Sequence, residues 1–237
     1  MSKSKHVPKS RRQIVAIGGG FTSPAVMDYV LGLAHKKMPT ILFINTATGD
    51  SAESLLRVYN KVAGLSCRAS HLPFFDRTPP DLEKVIFSQD VVFVGGGNTK
   101  SMLAVWREYG LDQILLEAWK RGIILAGSSA GGICWFEGCV TDSYAVNYTA
   151  LPALGFLKGS CCPHYDGEAG RQETYHRLIK ESQLTDGFAL DEGVGVHFIG
   201  ELVHDIVTGK KGSRAYRVTR KNGKIVEKPL KARFVSI

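Results

Sequence analysis

The chain has no stretch near the roughly 18 consecutive apolar residues that cross a bilayer, and no apolar run precedes Ile14. Neither a membrane span nor a secretory leader is expected, which points to a cytoplasmic protein with no membrane partner. Cysteine is scarce and unframed. Cys67, Cys134, Cys139, Cys161 and Cys162 form no CxxC pair, a pattern that fits reduced thiols better than disulfides or a zinc site. Phosphate-binding signatures are missing as well: neither GxGxxG nor GxxxxGK[ST] occurs, which argues against a dinucleotide or P-loop site. Carboxylates are outnumbered, 22 Asp and Glu against 30 Lys and Arg, for a net charge of +8. That surplus is confined to the ends: residues 1–12 carry +5 and residues 210–237 carry +9, leaving 13–209 at −6. No aromatic-interleaved basic patch accompanies it, so no nucleic-acid partner is expected.

What remains is an ordinary globular composition, 44% hydrophobic in 237 residues with 26 Gly and 9 Pro. Residues 1–12 read as a disordered basic arm, and 13–237 as one domain without repeat or linker. Within it, strand-length apolar runs (Ile14 to Ile17, Thr40 to Asn45, Val91 to Val94, Ile123 to Ala126) alternate with helical segments (Pro24 to Lys36, Ser51 to Gly64, Ser101 to Arg121, and one more after Ala126). This is the rhythm of an α/β fold, a mostly parallel sheet between two helical layers. Ser23-Pro24 and Ser51 mark helix starts, and Gly64 and Gly122 mark stops. After Gly187 short alternating runs follow, with Asn222-Gly223 as a hairpin turn, so antiparallel strands are expected at the sheet edge near the C-terminus.

Open parallel sheets bind ligands beyond the carboxyl ends of their strands. Three glycine-rich turns fall there: Gly18-Gly19-Gly20, Gly95-Gly96-Gly97-Asn98-Thr99, and Gly127-Ser128-Ser129-Ala130-Gly131. The last has the Gly-x-Ser-x-Gly form of a nucleophile elbow, in which small neighbours allow a turn tight enough to expose one hydroxyl. Ser129 is then the candidate nucleophile, with the amides of Ala130 and Gly97 as candidate oxyanion donors. The plainer reading is that the same serines simply cap a helix. A nucleophilic serine needs a base, and His164, His176, His197 and His204 follow it. His164, in Pro163-His164-Tyr165, lies on a strand-end loop. His176 falls inside a helix, and His197 and His204 lie in edge strands, where a packed or solvated histidine is the default.

Taken in order, Gly95-Gly96-Gly97-Asn98-Thr99, Gly127-Ser128-Ser129-Ala130-Gly131 and Pro163-His164 resemble the motifs of the peptidase E (dipeptidase E, S51) serine peptidases, over roughly Ile14 to Leu202. The resemblance implies a class I glutamine amidotransferase-like fold, Ser129 as nucleophile, His164 as base, oxyanion amides from Gly97 and Ala130, and neither metal nor cofactor. For the third member of the triad it points first to Glu137, then to Asp142, then to Asp166. Asn98 and Arg171 are the candidate substrate contacts, Arg171 standing nearest to the arginine that reads an aspartyl side chain in that family. The expected activity is hydrolysis of short peptides, as a monomer or homodimer. Alternatives are an amidotransferase-like amidase, a cyanophycinase-like hydrolase, or a non-catalytic peptide-binding protein on the same fold.

Overall fold

The computed structural model of the chain describes residues 12–20, 23–144 and 147–236, so the expected basic arm lies outside the described residues except for Arg12. Strands β1 (Gln13–Ile17), β2 (Thr40–Ile44), β3 (Arg68–His71), β4 (Val91–Val94) and β5 (Ile124–Ser128) form the parallel part of an eight-stranded sheet. Their lateral order is β1-β5-β4-β2-β3. All but β3 at the edge are buried nearly end to end, which is why they read as continuous apolar runs rather than alternating ones.

Successive residues of these strands serve opposite faces. Val15, Ile17, Phe43 and Phe93 meet α1 (Pro24–Gly32) and α2 (Ala52–Val62) through Val26, Met27, Val30, Val58 and Val62. Ile14, Ala16, Leu42, Val92 and Leu125 belong to the cluster that includes α3 (Leu82–Phe87), α4 (Thr99–Glu108) and α5 (Leu111–Lys120), with Trp106 and Leu115 fully buried. Each valine, leucine, isoleucine, methionine or phenylalanine among them contributes roughly 1.5–3 kcal/mol by leaving water. The helix starts are fixed locally: Ser23 accepts the amide of Val26 at 3.3 Å ahead of Pro24, Ser51 that of Ser54 at 3.3 Å, and Asn98 that of Ser101 at 2.9 Å.

Two features depart from the sequence reading. The helix expected after Ala126 is one turn only, α6 (Ala130–Ile133), and the chain then enters strand β6 (Phe136–Thr141). Aromatic Phe136 and β-branched Val140 favour the strand, and Gly138 disfavours a continued helix. That strand opens a second, six-stranded sheet, joined by β7 (Thr149–Pro152), β8 (Leu157–Cys162), β9 (Gly187–Leu190), β12 (Ala215–Lys221) and β13 (Lys224–Leu230). Its one face adds Phe136, Cys161 and Phe188 to the cluster around Trp106, and its other packs Val140, Cys162 and Ala189 against Tyr175 and Leu178 of α7 (Arg171–Lys180). Strands β10 (Val194–Ile199) and β11 (Leu202–Thr208) do add antiparallel at the β1 edge, as expected, with β14 (Arg233–Phe234) beyond them. The Asn222-Gly223 hairpin forms with both residues at positive φ, but it joins β12 to β13 in the second sheet.

Candidate active site

The glycine turns and the loops after β8 and β9 converge at the carboxyl ends of the strands. Ser129 follows β5 with φ +55° and ψ −119°, a conformation that non-glycine residues rarely adopt, and its side chain does not cap α6. Its Oγ instead lies 2.9 Å from Nε2 of His164. His164 is also held at positive φ, +50°, on the turn after β8. Its Nδ1 lies 2.9 Å from Oε1 of Glu192, on the turn after β9. A carboxylate only accepts, so Nδ1–H donates to Glu192 and Nε2 is left to accept the Ser129 hydroxyl.

Three successive carbonyls set this register. Ile17 O accepts the amide of Ser129 at 3.0 Å, Gly18 O that of His164 at 2.7 Å, and Gly19 O that of Gly193 at 3.0 Å, one residue past Glu192. The first glycine turn is therefore the shelf on which the histidine and its carboxylate lie. A Cβ on Gly19, at φ +109°, would stand 2.3 Å from His164 Cε1, and one on Gly20 would stand 2.8 Å from the Glu192 carboxyl carbon. The second turn backs the serine: a Cβ on Gly96 would lie 3.1 Å from that of Ser129. Among the described residues nothing accepts from the amides of Gly97 or Ala130, the two candidate oxyanion donors.

The three carboxylates favoured by sequence are all engaged elsewhere. Glu137 is exposed on β6 and accepts the amide of Gly159 at 2.8 Å, since a strand rather than a helix carries it away from Ser129. Asp142 is largely exposed, 3.6 Å from Arg171. Asp166 accepts the backbone amide of Glu192 at 2.8 Å and pairs with Lys210 at 3.2 Å, so it steadies the loop of the carboxylate that does meet His164. Asn98 is spent on capping α4, with its amide nitrogen donating to Ser143 O at 3.3 Å.

Arg171 is buried rather than presented to a ligand. Its guanidinium binds Glu168 through both Nε and a terminal nitrogen and covers the ring of Tyr148 at 4.3 Å. Glu168 in turn brings a second carboxylate toward His164, its Oε1 3.8 Å from Nδ1. Burial pushes the Glu168 carboxyl up, but the Arg171 hydrogen bond and charge outweigh it and hold the group below the usual carboxylate range. Of the other candidate histidines, His197 is buried between Tyr29 (2.8 Å) and Gln13 (3.0 Å), His176 bonds Tyr165 (2.8 Å) and Glu227 (3.1 Å), and His204 is exposed on β11.

A cavity of about 720 Å³ opens beside Ser129 and His164, bounded by the Gly95–Gly97 turn, Asn45 at the end of β2 and one side of α2. None of the described helices is long and apolar enough to cross a membrane.

Comparison with known proteins finds similarity to peptidases. The chain is 44% identical over 229 residues to the uncharacterized peptidase YgaJ of Bacillus subtilis (strain 168), covering 94% of this chain and 99% of that one. It is 35% identical over 101 residues to peptidase E of Citrobacter koseri, covering 40% and 44%. In fold it is similar to the crystal structure of a peptidase from an acI-B1 Actinobacterium, with a TM-score of 0.71 at 17% identity, covering 93% and 94%. The model of peptidase family S51 matches residues 13–206, from β1 into β11 and through every turn that builds the site, and the chain belongs to that family.

Proposed function

We propose that the chain hydrolyses short peptides as a serine peptidase, with Ser129, His164 and Glu192 as the triad. The observation that carries the reading is the unbroken chain of hydrogen bonds from Ser129 Oγ through His164 to Glu192, 2.9 Å at each link. In the first step Oγ attacks the scissile carbonyl carbon while Nε2 takes the hydroxyl proton, and Glu192 stabilises the imidazolium. The tetrahedral oxyanion is received by the amides of Gly97 and Ala130. Collapse breaks the C–N bond, and Nε2 passes its proton to the departing amine. Water then attacks the ester by the same route, the acid product leaves and the Ser129 hydroxyl is restored.

A cavity of about 720 Å³ suits a peptide of a few residues. The non-catalytic reading was motivated by uncertainty over which acid holds His164, and Glu192, 2.9 Å from Nδ1, supports the catalytic reading instead. The test is a serine-directed phosphonate with the adduct mapped, alongside a digest of short peptides. Labelling of Ser129, with peptide cleavage lost at least ~10³-fold in Ser129→Ala, is expected. An active preparation that is labelled at another residue, or that keeps its activity in Ser129→Ala, overturns the assignment.

A further inference from the structure

Glu192 accounts for one carboxylate beside His164, and Glu168 is a second that the triad does not use. The amides of Gly167 and Glu168 both donate to the carbonyl of His164, at 3.2 and 3.3 Å, and this turn folds the Glu168 side chain back toward the ring. Its Oε2 receives three donors: Nε of Arg171 at 2.8 Å, a terminal nitrogen of the same guanidinium, and the Tyr148 hydroxyl at 3.1 Å. Oε1 is left to face Nδ1 at 3.8 Å, too far for a hydrogen bond but close for a charge. The Arg171 side chain is only 2% exposed, so the anchor has little freedom to move, whereas Glu168 at 32% keeps some screening by water.

The surrounding charges leave this side of the ring negative. A Cβ on Gly167 would stand 2.9 Å from Glu192 Oε1, so the bare glycine lets Glu192 close against the same turn. Arg171 offsets part of the Glu168 charge and has Asp142 at 3.6 Å as well. Asp166 is directed to the Glu192 amide and to Lys210. The Cys139 and Cys162 thiols, within the field of Arg171, are pushed up by burial and stay neutral. Two carboxylates around a neutral ring repel each other, and a proton on the ring relieves the repulsion. That relief grows as Ser129 gives up its proton, so it acts on the barrier rather than on substrate binding.

We propose that Glu168, anchored by Arg171 and Tyr148, is a positioning residue for the reaction: a second carboxylate on the Nδ1 side of His164 that stabilises the imidazolium formed when Nε2 takes the proton of Ser129. The inference rests on the serine peptidase reading for the source of that proton. Glu168→Gln keeps the shape and an oxygen for Arg171 but removes the charge. Its kcat is expected to fall by about 3–10-fold with KM within about twofold. The acid limb of its kcat/KM profile is expected to move to lower pH by about one unit, because a ring with one negative neighbour fewer holds its proton less well.

NMR titration of the histidine rings reads the same effect without turnover, the His164 signal being identified by its loss in His164→Gln. Its midpoint is expected to fall in Glu168→Gln. Glu168→Asp keeps the charge for Arg171 but draws it back from the ring by one methylene, so its midpoint falls by less, and this variant stands in should Glu168→Gln not fold. A role confined to structure lowers the rate or the melting temperature and leaves the midpoint in place. If the parent neither cleaves peptides nor takes the phosphonate, the peptidase reading falls, and the ring titration still judges Glu168. A His164 midpoint that stays at the parent value in the folded variants overturns the proposal, whatever their rates.

Discussion

Gly19→Ala isolates the shelf beneath the histidine from the chemistry above it. The added methyl would stand 2.3 Å from Cε1 and 2.4 Å from Nε2 of His164, against the 3.5–4 Å of ordinary carbon contacts. The ring has to withdraw by about 1 Å, which takes Nε2 out of reach of Ser129 Oγ, now at 2.9 Å. A misplacement of that size costs about 10²-fold in rate. The backbone adds a second cost, since alanine at φ +109° is strained by about 1–3 kcal/mol, or several degrees in Tm for a chain of this size. Gly212→Ala separates the two effects. Gly212 has φ +89° but nothing within 4 Å of its would-be Cβ, so that variant loses stability and keeps activity. The assay is kcat/KM on a cleaved peptide and the rate of phosphonate labelling at Ser129, each beside a thermal melt. A Gly19→Ala protein within threefold of the parent, or a Gly212→Ala protein equally impaired, refutes the reasoning.

Glu192→Gln keeps the shape of the side chain but takes the charge away from His164 Nδ1, and a fall in kcat of about 10²–10⁴-fold is expected, with Glu137→Gln within about twofold of the parent. The reverse order in steady-state kinetics would return the role to Glu137. Stability between pH 4 and 6.5 is set in part by two opposed groups. Burial, and then His204, push His197 down to about 4, so folding is stabilised by up to about 3 kcal/mol above pH 6.5, a contribution lost as pH falls toward 4. Asp191, pushed up to about 6 by burial, runs the other way and costs stability as pH rises through the same range. Asp191→Asn is expected to steepen the loss of Tm on acidification and His197→Gln to flatten it, and melts that neither variant changes would dispose of both assignments.

The parallel sheet was legible because strands covered on both faces must be apolar throughout, and Val91–Val94 has no other reading at that length. The second sheet was not, since a strand such as Leu157–Cys162 mixes lysine, glycine and serine with its apolar residues. The pairing of Ser129 with His164, the proposed nucleophile and base, was legible from small residues at a strand end and from elimination among histidines. Glu192 was hidden because its proximity is created by pairing. Strands β8 and β9 run parallel, with Cys162 opposite Ala189, so the turns that follow them bring His164 and Glu192, 28 positions apart in the sequence, side by side. Placing Leu190 at the end of a strand was the one available signal. The expectation for Glu137 assumed a continuing helix, whereas α6 spans only four residues and β6 carries Glu137 away from His164.

The three carbonyls of Ile17, Gly18 and Gly19 have an evolutionary consequence. Carbonyl groups belong to every residue, so no side-chain substitution can delete the acceptors from which the serine, histidine and glutamate turns hang. The spacing between those turns is that of consecutive peptide units, about 3.8 Å from one Cα to the next, whatever the length of the intervening loops. Insertions between β5 and β8, or between β8 and β9, can accumulate while the register is kept. Only proline at positions 129, 164 or 193, or a gained or lost residue within 17–19, breaks it.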